Sequence, residues 1–202
     1  MMLHGYNEGG LELRQEQGGA VRIAGRFPYN TRGVLSRGGR RGRPRKEVIK
    51  SRAFAFRVDD PEAEIHFLAG HSYDKPLASR SAGTLDVRDG DDALTFSALI
   101  APELQEVGYV RDFLGGFAAG LVLGLSPGFA IPPEETVPDA VTVEEEDPAE
   151  GRAIIRNVNQ ALLYELSAVT VPVYKEAQIE ARSWDLDAQI CAPSPTLKRW
   201  LL

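Results

Sequence analysis

Apolar and polar residues alternate over residues 20–27 (AVRIAGRF), the pattern of a half-buried strand. Two further short runs, 53–58 and 64–69, read the same way. Residues 84–88 and 93–100 carry a hairpin signal. Leu85 and Val87 alternate in the first arm, and Leu94, Phe96, Ala98 and Ile100 in the second. Asp89-Gly90-Asp91-Asp92 between them is turn chemistry. The period then changes. Leu104, Val107, Val110, Phe113, Leu114, Phe117 and Leu121 fall at helical spacing, which predicts a helix over 102–122 with Pro102 and Glu103 in its first turn. Residues 123–131 read as a buried strand, and 162–174 (LLYELSAVTVPVY) as another, rich in β-branched residues. At least six strands stand against one helix, with no βαβ alternation. The predicted class is mainly β with helices (α+β), a β-barrel or sandwich with a helix packed on it.

Two charged stretches interrupt this pattern. Residues 32–52 hold nine bases against one acid, Glu47, and are punctuated by Gly38, Gly39, Gly42 and Pro44. Residues 132–151 hold eight acids and no base. Both are predicted as mobile loops, 32–50 and 132–151, within a domain spanning 1–180. A tail over 181–202, with Trp184 and Trp200, carries no assignable element. The string Arg41-Gly42-Arg43-Pro44-Arg45-Lys46 resembles the AT-hook, whose Arg-Gly-Arg-Pro core lies in the DNA minor groove. The competing reading is a solvated loop, or one docked on an acidic scaffold or on the acidic stretch of this chain.

Composition narrows the class. A length of 202 residues with 43% hydrophobic content suits one globular domain, or a domain plus a short tail. The net charge of −6 argues against nucleic acid as the main partner. The N-terminal MMLHGYNEGG lacks the basic region and apolar run of a signal peptide, and the longest apolar stretch, 113–125, is too short to span a bilayer. A soluble, intracellular protein is expected. Cys191 is the single cysteine, so no intrachain disulfide forms; with no histidine near it in sequence, it reads as a surface thiol. His4, His66 and His71 are joined by no cysteine or carboxylate cluster, so no metal site is expected. No phosphate-cradling glycine pattern is present, and no cofactor is expected.

Nucleophilic catalysis needs a hydroxyl or thiol, a base for its proton, and a group that holds the base. Ser126 stands in GLSPGF between Gly124 and Gly128, and glycines there would let substrate and backbone amides approach. The segment is equally a plain turn, and its helix precedes the serine, unlike the strand–serine–helix order of the α/β hydrolases. His71 ends a predicted strand (IHFLAG) and faces two readings, a base or a surface histidine. Alternation places Glu165 and Ser167 on one face with Val169, Val171 and Val173. A carboxylate on that face would need a partner, and an imidazole suits it; otherwise Glu165 is a strand-end residue facing water. Asp86 and Asp112 are alternatives for the same role.

Taken in order, several segments resemble the prohead (capsid maturation) serine proteases of tailed bacteriophages. They are Gly25-Arg26-Phe27-Pro28-Tyr29-Asn30, then Glu47 with Ala53-Phe54, the histidine loop AGHSYDKPLASRSAGTL (69–85), the serine motif GLSPGF, and the block ELSAVTVPVY (165–174). The resemblance implies a herpesvirus-assemblin-like fold, a β-barrel surrounded by helices. It implies Ser126 as nucleophile, His71 as base and Glu165 as the third member. It also implies cleavage of scaffold or of the N-terminal region of the major capsid protein, self-cleavage, self-association, and action inside the assembling prohead in the bacterial cytoplasm. The rival class is a non-catalytic assembly or DNA-binding protein that uses the basic 32–50 segment.

Overall fold

The computed structural model describes residues 5–7, 11–16, 18–39, 42–122 and 124–172. Thirteen strands and three helices follow one another in this span. They are β1 (Gly5–Asn7), β2 (Leu11–Gln15), β3 (Val21–Pro28), β4 (Arg32–Ser36), β5 (Arg45–Ile49), α1 (Ala55–Val58), β6 (His66–Ala69) and β7 (Pro76–Ser79). There follow β8 (Leu85–Asp89), β9 (Ala93–Ile100), α2 (Pro102–Gln105), α3 (Gly108–Ala118), β10 (Gly124–Ala130), β11 (Val141–Glu145), β12 (Ile154–Val158) and β13 (Leu162–Val169). The mainly β, α+β class holds.

The strands form three sheets, ordered β1-β2-β3-β9-β8, β10-β13-β6-β7 and β11-β12-β5-β4. Among the described residues none of the three closes on itself, so the expected closed barrel is not found. Each sheet keeps two edges, because the strand pairing stops at sheet boundaries instead of continuing around one axis. One apolar core joins them. Phe27 and Ile23 from β3, Phe67 from β6, Leu94 and Ile100 from β9, and Leu163 and Leu166 from β13 are all buried in it.

Four local expectations need correction. Residues 53–58 are a turn and the single-turn helix α1, closed by Asp59 N–H donating to Ala55 O at 2.8 Å. Phe54 is buried and Phe56 exposed, so the two do not share a face as they would in a strand; so short a run does not separate a period of two from one helical turn. The helix over 102–122 is two helices, broken where Val107 adopts an extended backbone (φ −73°, ψ 134°). Val110, Phe113 and Phe117 form the buried stripe of α3.

The charged stretches are the largest correction. The basic one carries β4 and β5, and the acidic one carries β11. They meet in one sheet through β12, which pairs parallel to β5 and antiparallel to β11. The opposite charges neutralise one another across the sheet. Arg43 Nη1 reaches Glu145 Oε1 at 2.7 Å, Lys46 Nζ reaches Glu146 Oε1 at 2.5 Å, Arg32 Nη1 reaches Glu150 Oε2 at 2.8 Å, and Arg156 Nη1 reaches Glu47 Oε2 at 3.3 Å. The basic segment is thus docked on the acidic one. The Arg43 guanidinium of the AT-hook-like string is further committed to the carbonyls of Arg152 and Ala153. Arg40 and Arg41, with His4, Tyr174, Cys191, Trp184, Trp200 and the 181–202 tail, lie outside the described residues.

Candidate active site

The site is built on the sheet β10-β13-β6-β7. Strand β10 lies at its edge and pairs antiparallel with β13, which pairs parallel with β6. The register sets Ser126 opposite Ser167 and Gly128 opposite Glu165. Directly opposed residues of an antiparallel pair share a face, with Cβ atoms about 4.5–5.5 Å apart. One face thus carries Ser126 and Gly128 on β10 beside Ser167 and Glu165 on β13.

The histidine arrives from β6. That strand ends at Ala69, and two consecutive residues in left-handed conformation, Gly70 (φ +64°) and His71 (φ +60°), turn the chain over the face. Gly70 N–H donates to Ala168 O at 3.0 Å, and His71 N–H donates to Ser167 Oγ at 3.0 Å. A left-handed backbone costs a non-glycine residue about 1–2 kcal/mol. These two hydrogen bonds into β13 offset that cost. They anchor the loop beside the residue that faces Ser126.

The His71 and Glu165 side chains then meet. His71 Nδ1 lies 2.6 Å from Glu165 Oε1. An ionised carboxylate only accepts, so in this contact Nδ1–H is the donor. Among the described residues Nε2 has no hydrogen-bond partner. Glu165 is 4% exposed, and Ser167 Oγ–H donates to its other oxygen at 2.6 Å. The face alternation read from the sequence is borne out through Val169, the end of β13; Val171 lies beyond the strand and Val173 outside the described residues.

The two glycines of GLSPGF are explained differently from the expectation. A Cβ on Gly128 would overlap Glu165 Oε1, and one on Gly124 would stand 2.7 Å from Pro172 Cγ. Their bareness makes room for the carboxylate and for the chain after β13. Pro127, next to the serine, lacks an N–H; such a residue is tolerated on an edge strand, and it cannot itself serve an oxyanion. A bulge also lies beside the site. Gly128 pairs with Glu165 but Phe129 with Leu163, which leaves Tyr164 extra. Arg57 of α1 holds it, donating Nε–H to Leu163 O at 2.7 Å and stacking 4.5 Å over the Tyr164 ring. Bulges of this kind re-aim side chains next to functional sites.

Exposure separates the two facing serines. Ser167 is 0% exposed and its proton is committed to Glu165, so it cannot reach a substrate. Ser126 is half-buried on the edge strand. The other candidates for the third position lie elsewhere. Asp86 is exposed on β8 of a different sheet and pairs with Arg88 at 3.0 Å, and Asp112 is exposed on α3. His66 sits opposite Glu165 on β6 but turns to Glu64 (3.8 Å) and to the edge of Tyr73 (5.6 Å between centroids). Among the described residues no three His, Cys, Asp or Glu side chains cluster as metal ligands. Sequence reasoning missed the roles of Ser167 and Gly128. The signal present was the Glu-x-Ser spacing, which set both side chains on one face.

The arrangement has the parts that the chemistry of a hydroxyl served by an imidazole needs: a carboxylate holds one imidazole nitrogen, the other is left open, and the paired strand carries a serine on the same face. No curated protein and no solved structure matches the chain. The sequence model described as caudovirus prohead serine protease matches residues 33–189, a span that contains Ser126, His71 and Glu165. The chain belongs to the caudovirus prohead serine protease family.

Proposed function

We propose that this protease uses Ser126 as nucleophile, His71 as general base and Glu165 as the carboxylate that orients the imidazole. Its substrates on this reading are the scaffold or the N-terminal region of the major capsid protein, and the chain itself, inside the assembling prohead. The observation that carries the proposal is the 2.6 Å contact of His71 Nδ1 with buried Glu165, on the face where Ser126 stands opposite Ser167. In acylation Nε2 removes the Oγ proton as Ser126 attacks the scissile carbonyl. The imidazolium formed is stabilised by Glu165, then returns the proton to the leaving amine. Deacylation by water repeats the sequence. Pro127 removes one amide from the set that could serve the oxyanion, which leaves neighbouring N–H groups for that task. Self-association belongs to the same reading.

The herpesvirus-protease-like barrel is the finer fold reading. The shared core, to which strands of all three sheets contribute, supports a barrel-like packing of separate sheets.

The test is co-expression with the major capsid protein of the same phage. Wild type is expected to cut it at defined positions, and Ser126→Ala to abolish cleavage while retaining its fold. Cleavage at the same positions by the Ser126→Ala protein would remove this serine from the mechanism.

A further inference from the structure

The group of side chains around the imidazole contains a fourth member. We infer that Ser167 is a positioning residue for the reaction: its hydroxyl locks the Glu165 carboxylate and the His71 backbone into one geometry. The inference rests on the catalytic reading of Ser126, His71 and Glu165.

A serine hydroxyl has one proton and two lone pairs. Ser167 uses the proton toward Glu165 Oε2 at 2.6 Å and accepts the His71 N–H at 3.0 Å. Glu165 spends its other oxygen on His71 Nδ1 at 2.6 Å. The result is a closed ring: carboxylate to imidazole, histidine backbone to hydroxyl, hydroxyl back to carboxylate. Two rotations are thereby stopped. The carboxylate cannot turn about its terminal torsion without losing one bond or the other. The His71 backbone is held at φ +60°, an arrangement that a non-glycine residue adopts only when its surroundings enforce it. The opposite strand closes the remaining side, because Gly128 leaves space for the carboxylate and no more.

Burial makes this worth a large effect. Ser167 is 0% exposed and Glu165 4% exposed, so water does not replace a missing partner. Without the hydroxyl, a buried carboxylate oxygen and a backbone N–H both lose their hydrogen bond. The substrate never touches Ser167, so ground-state binding is unaffected. The loss falls on the step in which the imidazole must be aimed at Ser126, hence on kcat.

The experiment compares Ser167→Ala, Ser167→Cys and Ser167→Thr with wild type, Ser126→Ala and Glu165→Gln, using purified major capsid protein of the same phage as substrate. Circular dichroism and thermal unfolding establish the folded fraction. Cleavage rates over a range of capsid-protein concentrations separate kcat from KM. Proton NMR follows the downfield resonance of the His71 Nδ1 proton in the hydrogen bond to Glu165. Ser167→Ala is expected to lower kcat about 10- to 100-fold, with KM within about 3-fold of wild type. The downfield resonance is expected to shift or broaden. Thr, which keeps the hydroxyl, is expected to recover most of the rate. Cys, close in size with a weak donor, is expected to fall between and keeps the test open should Ala not fold. A folded Ala or Cys variant with wild-type kcat and an unmoved resonance overturns the inference. So does a drop confined to KM. Cleavage by Ser126→Ala overturns the catalytic reading beneath it; a dead Ser126→Ala beside a fully active Ser167→Ala overturns only the role of Ser167.

Discussion

A glycine, not a charged group, makes the space in which the carboxylate of the site lies. Gly128 faces Glu165 across β10 and β13, and a methyl there would occupy the volume of the carboxylate. Gly128→Ala is therefore expected to push Glu165 off His71 instead of merely crowding the core. Overpacking of this kind costs about 1–3 kcal/mol of stability. On the proposed reading of Glu165, the loss of the carboxylate that orients His71 costs far more in rate. Capsid-protein cleavage by the folded variant is expected to fall roughly 10- to 1,000-fold, toward the level of a site whose imidazole is wrongly oriented. A folded Gly128→Ala protein that cleaves at the wild-type rate sinks this account. The reason for this glycine was not legible in the sequence. A serine between glycines suggested room for substrate, whereas the register of a strand some forty residues later sets what the glycine faces. Ser167 is the same case. Alternation placed its side chain beside that of Glu165, but the hydrogen bond to the His71 backbone depends on a left-handed turn that no local pattern announced.

Short elements held by distant charges are where pattern reading fails. Nine bases and interspersed glycines in 32–52 looked like a loop, and eight acids in 132–151 like another. Each carries strand chemistry, but the charged residues hid it, because the partners of Arg32, Arg43 and Lys46 lie a hundred positions or more away in sequence. Glu146 is the keystone among them. Its side chain is buried and accepts from Lys46 Nζ at 2.5 Å, from Ala153 N–H at 2.9 Å and from Arg32 at 3.4 Å. Lys46 first, then the Ala153 amide and Arg32, hold its carboxyl below the ordinary carboxylate range. A lowered folded pKa stabilises above the unfolded value of about 4.5 and is lost as pH falls through the folded one. Glu146→Gln is expected to lower the melting temperature at pH 7 and to weaken the acid-side decline below about pH 4.5, measured by thermal unfolding across pH. Equal decline in both proteins would place the acid sensitivity elsewhere. By contrast, the hairpin β8–β9, strand β3 and strand β10 were legible because their own alternation or apolar run decides them. Burial of one face needs no distant partner to be recognised.

At the scale of the molecule, the three sheets are separate in hydrogen bonding and are joined by core packing and a few polar pins. One buried pin is Asp89 at the end of β8. Tyr29, which follows β3, donates its hydroxyl to Asp89 Oδ1, and Arg52, ahead of α1, donates to the Asp89 backbone carbonyl at 2.5 Å. The pin thus ties the β3–β9–β8 sheet to the segment that leads from β5 into α1. Burial raises the Asp89 carboxyl above its ordinary value, and the same desolvation, with the Asp89 carboxylate beside it, pushes the Tyr29 hydroxyl up. The sign for Asp89 is the reverse of that for Glu146. A raised folded pKa contributes stability that is complete below about pH 3.8 and lost as pH rises through the folded value. The charged form is the one that burial penalises, and its Oδ2 has no hydrogen-bond partner among the described residues. Asp89→Asn keeps an acceptor for Tyr29 and carries no charge. The stability difference, variant minus wild type, is therefore expected to grow in favour of the variant as pH rises above about 3.8 and through the raised folded value, then to level off. Chemical unfolding at several pH values measures it. A difference that stays constant, or that shrinks with rising pH, would show that the pin tolerates its charge. The two carboxylates oppose one another across the acid range, Glu146 favouring the folded state as pH rises and Asp89 disfavouring it. A protein carrying both substitutions should then have a flatter stability profile than either single variant, because the sites lie in different sheets and their effects add.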